Sequence, residues 1–179
     1  MIRLQHVSKV FGAGPSRVAA LSGISFHIAK GEFVVLTGAS GAGKTTLLRM
    51  LYRAETPSEG EIEVAGFDVT ELRRSEIPRL RRSIGIVFQD SKLLAGRSVF
   101  ENVAFVLRVL GVSRRDITPR AFAALKAVGL SARTQAFPHQ LSQGEAQRAS
   151  LARAIVKSPG LLLADQPTAN LDENMAARI

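Results

Sequence analysis

The stretch GASGAGKT, from Gly38 to Thr45, has the residue types and spacing to hold a polyphosphate. It fits G-x-x-x-x-G-K-[ST] at every fixed position. Gly38, Gly41 and Gly43 let the backbone bend so that successive N–H groups face one anion, with Ala39, Ser40 and Ala42 between them. The helical spacing that follows places Lys44, Thr45 and Thr46 in a first helical turn, whose N–H groups and dipole favour negative charge. Lys44 supplies a full positive charge for the β- and γ-phosphates, and the Thr45 hydroxyl is a ligand for Mg²⁺.

A second chemical signal is LLLADQPTANLD. Four apolar residues run into Asp165, so its carboxylate emerges at the carboxyl end of a buried strand, where such folds bind ligands. Beside a phosphate loop it reads as a Mg²⁺ ligand. By itself it could be a cap or turn residue, because DQPT is also a turn sequence. Chemistry that splits a phosphate wants a second acid next, and the chain has Gln166 there. A third signal is LSQGE, in which Ser142 and Glu145 form a Ser-x-x-Glu capping box. A well-capped helix explains it. A serine, Gly144 and unpaired N–H groups at a helix start are also an anion site. Two phosphate-binding surfaces on one chain point to two chains facing each other across two nucleotides.

The elements that must position these residues follow from periodicity. MIRLQHVSKVF and ISFHIA alternate apolar and polar residues like short strands. GEFVVLTG is a continuous apolar run between glycines, as in a buried parallel strand. GKTTLLRMLYR has helical spacing, and GEIEVAGFDV returns to strand alternation. From Val99 to Lys157 the pattern is mostly helical, interrupted near GVSRRDITP and AFPHQLSQG, before GLLLAD reads again as a buried strand. These elements predict a three-layer α/β core of the P-loop NTPase kind, a small N-terminal antiparallel β part, and a helical subdomain at 90–140 within one domain spanning 1–179.

Composition narrows the function further. The 179 residues include no cysteine, which rules out disulfides and thiolate metal sites within them. MIRLQHVSKVF lacks the apolar core of a signal peptide, and NVAFVLRVLGV is far shorter than the ~20 residues of a membrane span. The net charge is +9, densest at Arg73, Arg74, Arg79, Arg81 and Arg82. Glu71 and Glu76 interleave these arginines, so the cluster reads as a solvated or partner-facing helix surface. No nucleic-acid-reading motif with interleaved aromatics accompanies it, so nucleic acid is not the expected partner.

Taken in order, the phosphate loop, Gln89, LSQGE, LLLAD and ANLD resemble the nucleotide-binding domain of ABC transporters over essentially the whole chain. The resemblance implies an ATPase that uses ATP and Mg²⁺ and forms a homodimer in its ATP-bound state. It implies that Phe11 stacks on adenine, that Gln89 senses Mg²⁺ and a transmembrane partner, and that Thr45, Gln89 and Asp165 face the metal. Ser142 and Gly144 would bind the γ-phosphate held by the opposite protomer, and Asp172 would lie at the dimer interface. Within the family, IPRLRRSIGIVFQDSKLL and SVFENVAFVLRVLG are most similar to the cell-division branch. Its members work with a membrane protein from the cytoplasmic face of the plasma membrane. The lipoprotein-release and macrolide-export ATPases are the alternative; they typically carry Ser where this chain has Asp90. A weakly hydrolysing regulatory module is a further reading. A DNA-acting member is the weakest, since the excision type carries zinc-binding cysteines.

The chain departs from the family pattern in three places. Gln143 stands where the signature usually has Gly, which implies weakened docking. Gln166 stands where the family has its catalytic glutamate, which implies impaired hydrolysis. The family's switch histidine follows one more helix and strand, whereas His6, His27 and His139 all precede Asp165. With Ile179 the last residue, the expectation is a C-terminally incomplete domain in which a strand beside a vacant place in the sheet exposes its edge.

Overall fold

The computed structural model describes residues 1–168. The chain divides into two compact units, the first ending at Ser83 and the second beginning at Ile84.

The first unit is built on an antiparallel sheet in the order β2-β1-β3-β4, with β1 at Ile2–Phe11, β2 at Val18–Ile28, β3 at Glu59–Val64 and β4 at Phe67–Asp68. Two-residue alternation buries Ile2 and Leu4, and the register then shifts between Leu4 and Val7. His6 sits there in the left-handed region at φ 49°, and the bulge returns Val7 and Lys9 to the buried face. Helix α1, Lys44–Leu51, contacts β3; Leu47, Met50 and Leu51 are its buried residues, and Ile62 and Val64 are those of β3. Each such side chain contributes about 1.5–3 kcal/mol when fully buried. In the short helix α2, Ile77–Ser83, only Leu80 is buried. Arg81 of this helix donates to the carbonyls of Tyr52 and Arg53 at 3.1 and 3.0 Å, so one member of the basic cluster fastens the end of α1.

The second unit pairs β5, Ile84–Val87, in parallel with β6, Leu161–Ala164, in register from Ile84↔Leu161 to Val87↔Ala164. Helices α3, Val99–Val109, α4, Arg114–Ala127, and α5, Gln143–Ile155, share one core with Val103, Leu107, Ala121, Leu125, Ala149 and Ala152 at its centre. Ser98 and Ser142 each cap their helix through a complete capping box, with Glu101 and Glu145 as partners.

Two expectations from periodicity are corrected. GEFVVLTG lies in no strand: 33–38 carries no helix or strand assignment, and Phe33 and Val35 are 92% and 67% exposed. A strand needs a ladder partner as well as apolar residues, and no described segment pairs with this one. The interruption at GVSRRDITP is also shorter than its turn-forming residues suggest. Helix α4 starts at Arg114 and runs through Pro119. Proline there removes one intrahelical donor, while burial of Ile117, Ala121, Ala124 and Leu125 holds the helix in place.

Candidate nucleotide-binding site

The first unit carries the phosphate loop. Gly38, Gly41 and Gly43 have φ of 149°, 79° and 83°, a backbone that side-chain-bearing residues rarely adopt. Gly43 is also required by space: a Cβ there would meet the Ala20 carbonyl oxygen at 2.4 Å and Leu21 Cδ2 at 2.8 Å. The loop is thereby seated on β2. Gly43 is the N-cap of α1 and offers no side chain to the first amides of the helix. This contrasts with α3 and α5, whose N-terminal amides meet a serine hydroxyl. The first turn of α1 lies at the positive end of the helix dipole, where an anion is favoured. Lys44 folds back over the loop and donates to the Gly38 and Ala39 carbonyls, both at 2.7 Å.

Phe11 ends β1 in the same unit and is 39% exposed. The Lys9 ammonium lies over its ring at 4.7 Å from the centroid. Lys9 is itself largely buried, 3.4 Å from the Glu55 carboxylate and donating to the Thr56 carbonyl at 2.8 Å. Sequence reading singled out Phe11 and missed Lys9. The signal was there, because residues two apart on a strand share a face.

The second unit carries the remaining candidates. Gln89 follows β5 and Asp165 follows β6, so both leave the carboxyl end of the parallel pair. The Asp165 amide donates to the Val87 carbonyl at 2.9 Å, extending the ladder one step beyond β6. Gln166 is exposed and sits at φ 45°, a left-handed conformation that costs a non-glycine residue roughly 1–2 kcal/mol. Gln89 and Asp90 are exposed, and Asp90 pairs with Lys92 at 3.2 Å.

At the start of α5, Ser142 Oγ accepts from the Glu145 amide at 3.2 Å, and the Glu145 carboxylate accepts from the Ser142 amide at 2.8 Å. The same carboxylate accepts from Arg133 Nε at 2.8 Å. The Ser142 amide and then Arg133 hold Glu145 below the usual carboxylate range. Gly144 is buried in the first turn. Asp172 lies outside the described residues.

Thr45 in the first unit, and Gln89 and Asp165 in the second, each carry a hard oxygen of the kind that suits Mg²⁺, an ion usually bound by one or two carboxylates together with substrate phosphates. No group of three or more His, Cys, Asp or Glu that could hold a metal occurs among the described residues. No described helix is long and apolar enough to cross a membrane.

A family model described as ABC transporter matches residues 21–169. The cell division ATP-binding protein FtsE of Escherichia coli (strain K12) is 49% identical over 179 residues, covering 100% of this chain and 79% of its own length. FtsE of Bacillus subtilis (strain 168) is 48% identical over 172 residues, 96% of this chain and 74% of its own. Among solved structures, a dimeric ATP-binding cassette in a post-hydrolysis state bound to ADP and Pi matches with a TM-score of 0.92 at 34% identity, over 100% of this chain and 79% of that one.

Proposed function

The chain belongs to the ABC transporter family, and from that premise we propose that it is the ATP-binding subunit of a cell-division membrane complex with an FtsX-like transmembrane subunit. The family's members are ATPases, and the relatives matched here are cell division ATP-binding proteins. The observation that carries the nucleotide reading is the phosphate loop itself: Gly38, Gly41 and Gly43 adopt positive φ, Gly43 leaves no room for a Cβ, and Lys44 donates to the Gly38 and Ala39 carbonyls beside the start of α1.

In this reading the loop amides and Lys44 bind the phosphates, and Phe11 stacks on the adenine. Lys44 exchanges its two bonds to neutral carbonyls for bonds to phosphate oxygens, in which both partners carry charge. Thr45, Gln89 and Asp165 are the residues that would hold Mg²⁺, which neutralises phosphate charge when bound. Ser142 and Gly144 donate to the γ-phosphate carried by a second copy of the chain, and Asp172 belongs to that same contact. The helical segment 90–140 meets the membrane subunit at the cytoplasmic face.

Gln166 gives the reading its particular form. An amide has nearly the shape of a carboxylate, so nucleotide binding is kept. It takes no proton from an attacking water, so hydrolysis is slowed. A module that binds nucleotide and hydrolyses little is the second reading, and Gln166 is the residue that favours it. Thermal unfolding tests the nucleotide assignment. Mg²⁺-ATP at ~100 times its Kd should add about 2.7 kcal/mol to stability and raise the melting temperature. No shift at millimolar nucleotide would refute it.

A further inference from the structure

Polar side chains on α5 and α3 hold the backbone around Gln89 from below. Gln147, Ser150 and Arg153 recur every third residue on α5, forming a polar row on a helix that otherwise buries alanines. Gln147 is 5% exposed, and its Nε2 donates to the Phe88 carbonyl at 3.1 Å. Arg153 donates through Nη2 to the Ser91 carbonyl at 2.6 Å and through Nη1 to the Lys92 carbonyl at 2.5 Å. Its Nη2 is also 3.3 Å from Ser150 Oγ. On the far side, the fully buried Asn102 of α3 accepts from the Leu94 amide at 2.7 Å and donates to the Leu94 and Arg97 carbonyls at 3.2 and 3.1 Å.

This arrangement is costly as a purely structural device. Burial lowers the Arg153 pKa, so the charged form bears a desolvation penalty. Among the described residues no carboxylate lies within ion-pair distance of it to offset that penalty. Lys92 is held at φ 49°, in the left-handed region. Strain of this kind persists only where the surroundings over-determine it. The bonds that reach the loop fall on its backbone groups, while Gln89 and Asp90 are exposed. The loop is thus gripped by its main chain, with its functional side chains left exposed.

We propose that Arg153, with Gln147, is a positioning residue that clamps the Gln89 loop to the helix starting at Ser142, so that the two respond to nucleotide as one body. The assignment rests on the nucleotide reading above. Arginine suits the task because its planar fork reaches two successive carbonyls at once, whereas a lysine ammonium is a point charge on a flexible stem. The clamp joins the residue facing the chain's own Mg²⁺ to the surface facing the opposite copy's phosphate.

Hydrogen–deuterium exchange read by mass spectrometry tests this on the whole chain and on Arg153→Lys. In the unsubstituted chain, Mg²⁺-ATP should slow exchange at 89–93 and at 143–147 with one shared midpoint concentration. In Arg153→Lys, nucleotide affinity should stay within about twofold. Exchange at 89–93 without nucleotide should rise at least roughly tenfold, and 143–147 should lose its nucleotide response. A general loss of stability would raise exchange across the α3–α4 core as well, which the clamp does not predict. Unchanged exchange at 89–93, or a concerted response that survives the substitution, would overturn the proposal. So would a chain that binds ATP with no response in either segment. If the chain binds no ATP, the nucleotide reading fails and the nucleotide-free comparison still decides the clamp. Should Arg153→Lys not fold, Gln147→Met, which removes only the bond to Phe88, carries the same comparison.

Discussion

The Lys9 ammonium covers one face of the Phe11 ring at 4.7 Å from its centroid, so a flat base can stack only on the other face. Base–aromatic stacking is worth ~1–3 kcal/mol, so Phe11→Ala should weaken ATP binding roughly 5- to 150-fold. Tripolyphosphate, which has no base, should bind Phe11→Ala and the unsubstituted chain alike. Equal losses for both ligands, measured by calorimetry, would show that Phe11 supports the loop and does not hold adenine.

The capping box at the start of α5 makes a pH prediction. Glu145 is held below the usual carboxylate range, first by the Ser142 amide and then by Arg133. A group whose folded pKa is depressed contributes stability above its unfolded pKa, and that stability is lost as pH falls through the folded value. Glu145→Gln should therefore lower the melting temperature near pH 7, and the difference should shrink as the pH is taken down through the acidic range. A difference that holds constant down to about pH 3 would mean the carboxylate charge contributes nothing.

Docking to a membrane subunit makes a third prediction. Leu94 is 40% exposed, and Gln89 and Asp90 are exposed beside it. Substituting Asp90 and Leu94 should abolish co-purification with an FtsX-like protein and leave ATP affinity within about twofold. Loss of both properties, or of neither, would count against this surface as the contact.

These residues also show what the sequence made legible. The phosphate loop and the Ser142–Glu145 box are local: each places its partners within one turn or one bend, so spacing alone reveals them. The strand expected at GEFVVLTG failed because ladder pairing is non-local, and an apolar run carries no information about whether a partner strand lies beside it. Helix α4 passes Pro119 because the burial of Ile117, Ala121, Ala124 and Leu125 outweighs one missing donor, a balance that only packing reveals. Gln147 and Arg153 looked like ordinary polar helix residues, since the carbonyls they hold lie 59 to 62 positions away. Asp172, expected at a dimer interface, lies outside the described residues.

Gln166 makes the kinetic prediction. Losing a general base typically costs ~10²–10⁴-fold, about 3–5 kcal/mol of barrier. Gln166→Glu should raise the single-turnover rate of ATP hydrolysis in that direction, with little change in ATP affinity. It should also shorten the life of any ATP-bound dimer, read by size-exclusion chromatography. A rate no faster than that of the unsubstituted chain would favour the weakly hydrolysing module over an ATPase whose base has been replaced.

The central claim is that the loop from Gly38 to Thr46 binds the phosphates of ATP with Lys44 as its full charge. Calorimetric titration of Mg²⁺-ATP into the chain and into Lys44→Ala tests it most directly. A charge-assisted hydrogen bond is worth ~1.5–3 kcal/mol, so the substitution should weaken binding by at least roughly tenfold. Among the described residues Lys44 donates to the Gly38 and Ala39 carbonyls, within the loop itself, so the melting temperature without nucleotide should change little. Saturable binding in the unsubstituted chain that collapses in Lys44→Ala is the predicted result. Equal affinity in the two proteins would contradict the assignment.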